Sequence, residues 1–98
     1  METFNLITQW AHDRNLIKGS TPQAQMLKMT EEVGELASGI AKNKLPETAD
    51  AIGDCVVVLT ILAAQLGMDI KDCINSAYNE IKDRKGQMVN GVFVREVS

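Results

Sequence analysis

Aromatic side chains are scarce in this chain: two Phe, one Tyr and one Trp among 98 residues. A core must therefore come mainly from Leu, Ile, Val, Met and Ala. Cysteine is limited to Cys55 and Cys73, with no C-x-x-C spacing, and both lie in apolar-periodic segments that predict buried, reduced thiols. His12 is the single histidine, so no nucleophilic site that needs another histidine can be built. No glycine-rich phosphate loop of the Walker type is present. The longest apolar run, Cys55 to Leu66, is broken by Thr60 and Gln65. It is shorter than the roughly 20 residues of a membrane span. Met1 to Asn5 lacks the basic and apolar regions of a secretory leader, which makes the cytoplasm the expected compartment. Positive charge is not in excess either. A formal net charge of −3 disfavours nonspecific binding to a nucleic-acid polymer. It leaves a nucleotide ligand open, because a bound divalent cation reverses the local sign.

What is present fits a globular chain, with 45% hydrophobic and 23% charged residues. The length matches one domain over residues 1–98, near the lower size for a self-sufficient core, so oligomerisation is expected. Periodicity predicts an all-α, four-helix bundle-type domain with a short non-helical C-terminal tail, completed by oligomerisation. The first helix covers Thr3 to Arg14, with Phe4, Ile7, Trp10 and Ala11 on one face, and a loop follows over Asn15 to Ser20.

The second helix opens on Ser20 or Thr21 as cap, with Pro22 in its first turn and Ser20 with Gln23 as a capping box. Its apolar stripe is Met26, Met29, Val33, Leu36, Ala37 and Ile40, and it ends near Asn43. The third helix runs from Glu47 to Leu66 and stops at Gly67. From Val56 onward it is apolar nearly all round, the pattern of a helix buried on every side, partly by a second subunit. The fourth helix follows Asp69 and spans Ile70 to Arg84, with Ile70, Cys73, Ile74, Ala77 and Ile81 inward. In the tail, Asn90-Gly91 between Val89 and Val92 suits a tight turn.

The acidic residues carry the chemical signal. At 100° per residue, Glu31 and Glu35 lie about 40° apart round the second helix, and Glu32 about 60° further. Lys28 shares their face, which is not the apolar stripe. On the third helix Glu47, Asp50 and Asp54 fall within about 60° of one another, on a face that continues into Val57, Val58 and Ile61. Carboxylates leading into a bundle interior are costly unless paired or metal-bound. Facing helices that project carboxylates can hold a cation, and an all-oxygen donor set favours Mg²⁺ or Mn²⁺ over zinc. Taken alone, the E-E-x-x-E string reads as a solvated charged face; with Asp50 and Asp54 on a face that leads into the core, both readings stay open.

The stretch Gln25 to Leu36, with Glu31-Glu32-Val-Gly-Glu35 at its centre, and the stretch Asp50 to Leu59 resemble the MazG-like nucleotide pyrophosphohydrolases of the all-α superfamily. The resemblance extends through Tyr78 to Gly86 and Val89 to Val94. It implies a Mg²⁺-dependent enzyme, with Mn²⁺ as a possible substitute. Such an enzyme splits the α–β bond of a nucleoside triphosphate to give a monophosphate and pyrophosphate. It also implies that Glu31, Glu32, Glu35 and Asp54 are the metal-binding and catalytic residues. The family's E-x-x-D places its glutamate where this chain has Ala51, and Asp50 is the expected substitute. Lys28, from its place on the acidic face, is a candidate for the phosphates, and by the same resemblance Asn79, Lys82 and Lys85 face them, with Arg84 available beside them. Gln25 and Trp10 are candidates for the base, and a homodimer or homotetramer is implied. The rival from another class is a non-enzymatic oligomeric adaptor or regulator with a degenerate metal site. A helix-turn-helix module is disfavoured, because no basic recognition helix stands out.

Overall fold

A computed structural model describes residues 2–97. In chain order it contains α1 (Glu2–Asp13), α2 (Leu16–Gly19), α3 (Pro22–Ala41), α4 (Leu45–Gln65), α5 (Ile70–Ile81), β1 (Gly86–Val89) and β2 (Val92–Arg95). The helical architecture is the one expected, with differences at the junctions.

The expected loop over 15–20 contains the short α2. Asn15 adopts a left-handed conformation (φ 59°) that turns the chain after α1, and Gly19 N–H donates to the Asn15 carbonyl at 2.9 Å. Thr21 caps α3, its Oγ1 accepting from Ala24 N–H at 3.1 Å. Ser20 has a different role from the expected box, accepting from Gln25 Nε2 at 3.1 Å. Helix α4 begins two residues before Glu47, because Pro46 fits a first turn where a missing N–H leaves nothing unpaired. Helix α5 ends at Ile81, short of Arg84. The tail is a hairpin, with Val89 opposite Val92 and Gly86 opposite Arg95. Its turn is the expected Asn90-Gly91, both at positive φ (50° and 80°) as a two-residue hairpin turn requires.

Helix α4 is the hub, touching α1, α2, α3 and α5, and its most extensive packing is with α3. The α3–α4 connection is only Lys42-Asn43-Lys44, with Asn43 left-handed (φ 54°). Lys44 N–H donates to the Gly39 carbonyl at 2.9 Å. A Cβ on Gly39 would sit 2.7 Å from Thr48 Oγ1, so the glycine lets the last turn of α3 rest directly on the first turn of α4. The buried apolar residues are Ala11, Ala51, Cys55, Val58, Ile61 and Ala63.

Two expectations about burial need correction, those for α3 and α5. The stripe of α3 does not face this core: Met26, Ala37, Val33 and Ile40 are exposed, and Met29 and Leu36 are half-buried. The buried positions are Gln25, Glu32 and Gly39, each one residue before Met26, Val33 and Ile40, and so about 100° round the helix. Helix α4, expected to be covered partly by a second subunit, is open along one line within a single chain. Leu45, Ile52, Leu59 and Leu66, spaced by seven, form an exposed line along it. Cys73 is exposed rather than buried, and no residue of α5 or of the hairpin is buried.

Two global quantities express the same fact. The radius of gyration is 16.2 Å, against about 13 Å for a compact domain of this length. The accessible surface is 7401 Å². A compact monomer of 10.7 kDa would expose roughly 5,500 Å².

Candidate metal and phosphate site

The acidic face of α3 turns toward the acidic face of α4 because the burial line of α3 runs through Glu32. That carboxylate is 5% exposed. One of its oxygens, Oε1, lies 3.3 Å from Lys28 Nζ, one turn earlier on the helix. The other, Oε2, is buried and, with the neighbouring carboxyls ionised, has no hydrogen-bond partner among the described residues. Such an atom is costly to leave unpaired and marks a position where a cation or a donor belongs.

Glu32, Glu35 and Asp54 come together, each offering an oxygen within 4.8 Å of the other two. The charge of Glu32, then desolvation, then a proton shared with the Glu32 carboxylate raise the Glu35 carboxyl above its ordinary range, while Lys28 opposes this and Asp54 adds a little. Lys28 is itself raised, first by its hydrogen bond to Glu32 and then by the charges of Glu31 and Glu32. Clustered carboxylates with an unpartnered buried oxygen form a set of hard donors that a divalent cation would neutralise.

Glu31 lies outside this group. It points outward, its side chain 68% exposed, 3.7 Å from Lys28. Asp50 lies beside the group and lines a cavity of about 360 Å³ together with Glu35, Ser38, Gly39, Lys42, Lys44, Glu47, Ala51 and Asp54. Ala51 is 2% exposed, so a small methyl group occupies the position where the resemblance expects a glutamate.

Lys42 and Lys44 were not among the residues singled out by sequence. Their signal was position: they bracket the one turn that joins the two acid-bearing helices.

The remaining candidates are dispersed. Gln25 is buried and held by Ser20. Trp10 is partly exposed, with the Arg14 guanidinium stacked 4.5 Å from its ring centroid. It shares an apolar groove with Thr3, Leu6, Ile7 and Val57. Asn79, Lys82, Arg84 and Lys85 are exposed, and none lines the acidic cavity. Arg84 and Lys85 instead border a hollow at the base of the hairpin with Glu80, Asp83, Arg95 and Glu96.

Comparison with known proteins places this chain in a family. The family model described as the MazG nucleotide pyrophosphohydrolase domain matches residues 20–89, which include both acid-bearing helices. An uncharacterized 18.2 kDa protein from the rep-hol intergenic region of Haemophilus phage HP1 is 59% identical over 63 residues. That alignment covers 64% of this chain but only 39% of the phage protein's length. No solved structure matches the chain.

Proposed function

We propose that this chain, which belongs to the MazG nucleotide pyrophosphohydrolase domain family, is a Mg²⁺-dependent enzyme that cleaves the α–β bond of a nucleoside triphosphate. The observation that carries the proposal is the Glu32–Glu35–Asp54 cluster with its unpartnered buried oxygen. Glu32, Glu35 and Asp54 hold the cation and Asp50 supports it from the cavity wall, while Glu31, which points outward in the free chain, would have to change rotamer to join them. Bound there, Mg²⁺ or Mn²⁺ supplies charge neutralisation for the phosphate oxygens and lowers the pKa of a water.

The side chains do the positioning. Lys28 fixes the Glu32 carboxylate, so one ligand is oriented before substrate arrives. One of the glutamates orients the attacking water and takes up its proton. The water oxygen bonds to phosphorus at the α–β bridge, the bridging P–O bond breaks, and monophosphate and pyrophosphate are released. Such a reaction needs placement and charge compensation rather than a nucleophilic side chain. Gln25 and Trp10 serve the nucleoside end. Asn79, Lys82 and Lys85 reach the phosphates from a second copy, since they stand outside the cavity of their own chain.

Association of copies is part of the proposal. The uncovered lines Met26–Val33–Ile40 on α3 and Leu45–Ile52–Leu59–Leu66 on α4 repeat every seven residues, the period of helices that pack along a shared seam. The excess surface of roughly 1,900 Å² over a compact monomer is the scale a stable partner would cover. A homodimer or homotetramer follows. Cytoplasmic residence is proposed as well, and it accords with the finding that no single helix among the described residues is long and apolar enough to cross a membrane.

The deciding experiment measures pyrophosphate release from a panel of ribo- and deoxynucleoside triphosphates with Mg²⁺, Mn²⁺ or EDTA. Metal-dependent release of pyrophosphate and monophosphate is expected, and the panel names the base. No release from any member with either metal overturns the enzymatic reading in favour of an oligomeric adaptor.

A further inference from the structure

We propose that Lys42 and Lys44 are the clamp for the two outer phosphates of the triphosphate, and therefore hold the pyrophosphate leaving group. This rests on the hydrolytic reading above and adds the direction in which substrate lies. Both lysines line the cavity that contains Glu35, Asp50 and Asp54. Four carboxylates surround them there, yet neither ammonium group comes within ion-pair distance of a carboxylate among the described residues. The ion pairs found involve Lys28 and Lys71 instead. Loop lysines that served only to neutralise Glu47 and Asp50 would pair with them. These two are free for a ligand.

Geometry gives the orientation. Lys42 follows Glu35 by seven residues, which keeps it within about 20° of the same helix face and roughly 10 Å further along the axis. Lys44 precedes α4 as its N-cap on the opposite wall; an ammonium has no acceptor with which to cap a helix, and its side chain lines the cavity instead. The turn between them is stiff: Asn43 is left-handed, and Lys42 and Lys44 N–H donate to Ser38 and Gly39 carbonyls at 3.0 and 2.9 Å.

Charge points the same way. The cavity carries four carboxylates and two lysines, a formal −2. A divalent cation on the acids brings that balance to zero, so the two lysine charges are no longer outweighed when an anion approaches. A substrate bound with its α-phosphate at Glu35 and Asp54 then extends its β- and γ-phosphates toward the α3–α4 turn. Its nucleoside is directed away from the α3–α4 turn, along the two helices.

The test is calorimetric titration of inorganic pyrophosphate, and separately of a nucleoside monophosphate, into the full chain with Mg²⁺ at fixed ionic strength. Wild type is compared with Lys42→Gln/Lys44→Gln, with each single variant and with Lys42→Arg/Lys44→Arg. The double Gln variant is expected to bind pyrophosphate about tenfold or more weakly, as loss of charge-assisted hydrogen bonds implies. Its monophosphate affinity stays near wild type, the Arg variant keeps most of the pyrophosphate affinity, and each single variant loses part of it. Circular dichroism checks that the exposed replacements leave the helices intact.

Pyrophosphate affinity unchanged in the double Gln variant, with an active wild type, overturns the clamp and leaves the hydrolytic reading standing. Equal weakening of monophosphate and pyrophosphate also overturns it, because the lysines then act only as a diffuse field. A wild type that neither binds pyrophosphate nor hydrolyses any triphosphate overturns both.

Discussion

Helices α3 and α4 are joined by three residues, seated on each other through Gly39 and Thr48, and closed over a buried carboxylate. The segment formed by α5 and the β-hairpin has the opposite character. Helix α5 turns away from α4 by 106° and exposes Ile74, Tyr78 and Ile81. The hairpin exposes Met88, Val92, Phe93 and Val94 on both of its faces. An isolated two-stranded hairpin is marginal in water. The first region is specified by contacts within the chain. The second is specified only when something covers it, and the proposed second copy is what our reading supplies. A short chain can thus close by itself the α3–α4 face that carries its chemistry, and leave to assembly both the outer apolar lines of that pair and the surface of α5 and the hairpin.

The sharpest way to break this contrast is to attack the self-contained half. Glu35→Gln and Asp54→Asn are each expected to lower turnover by roughly 10³-fold, in line with removal of one preorganised charge at a reacting phosphate. Helix content by circular dichroism should not change, because both carboxylates are exposed at the cavity and repel each other and Glu32. Full activity in either variant removes that residue from the site.

Next in size is the seam. Val33→Glu with Leu59→Glu places two charges on the uncovered lines of α3 and α4. Light scattering should report dissociation to monomers, with stability lowered by about 2 kcal/mol or more per buried anchor in a denaturant melt. If the variant keeps both its assembly and its midpoint, the seam lies elsewhere.

A smaller effect is expected in amide hydrogen exchange. Amides of α3 and α4 should exchange slowly at every protein concentration. Those of α5 and the hairpin should gain protection only as the chain associates. Equal protection in dilute solution would erase the distinction between the two regions.

The smallest effect concerns pH. Like charge raises the Glu35 carboxyl in the folded chain, so the metal-free fold binds a proton more tightly than the unfolded chain does. That contribution is fully present below the ordinary glutamate range and is lost as pH rises through the raised value. In EDTA the melting temperature should therefore fall over that interval. The fall should vanish in Glu35→Gln and flatten when Mg²⁺ is added.

Much of this was legible in sequence. The pairing of an E-E-x-x-E helix with an acid-bearing second helix, the Thr21–Pro22 start of α3, and the Asn90-Gly91 turn all act through residues close in the chain. Local spacing also grouped Glu32 and Glu35. The burial of α3 was less legible. Its most apolar stripe looked like the core face, yet the structure turns Gln25, Glu32 and Gly39 inward instead. Amphipathicity states that a face will be covered, but not whether by its own chain or by another. Lys42 and Lys44 were missed for a related reason. Nothing in a K-N-K turn distinguishes solvated lysines from cavity walls until the helices on either side are placed.

By itself, then, the sequence determined the helices, their caps and turns, and the faces on which acids and apolar side chains gather. These depend on backbone preferences and on the fixed 100° step of the helix. Only the tertiary structure decided which face of α3 meets α4. That choice follows from the short turn and from close approach at Gly39, which rotate the helix until Glu32 is enclosed. Rotation about a helix axis is a packing variable, and no local propensity fixes it. It brings Glu32, Glu35 and Asp54 together, and it leaves Met26, Val33 and Ile40 facing outward.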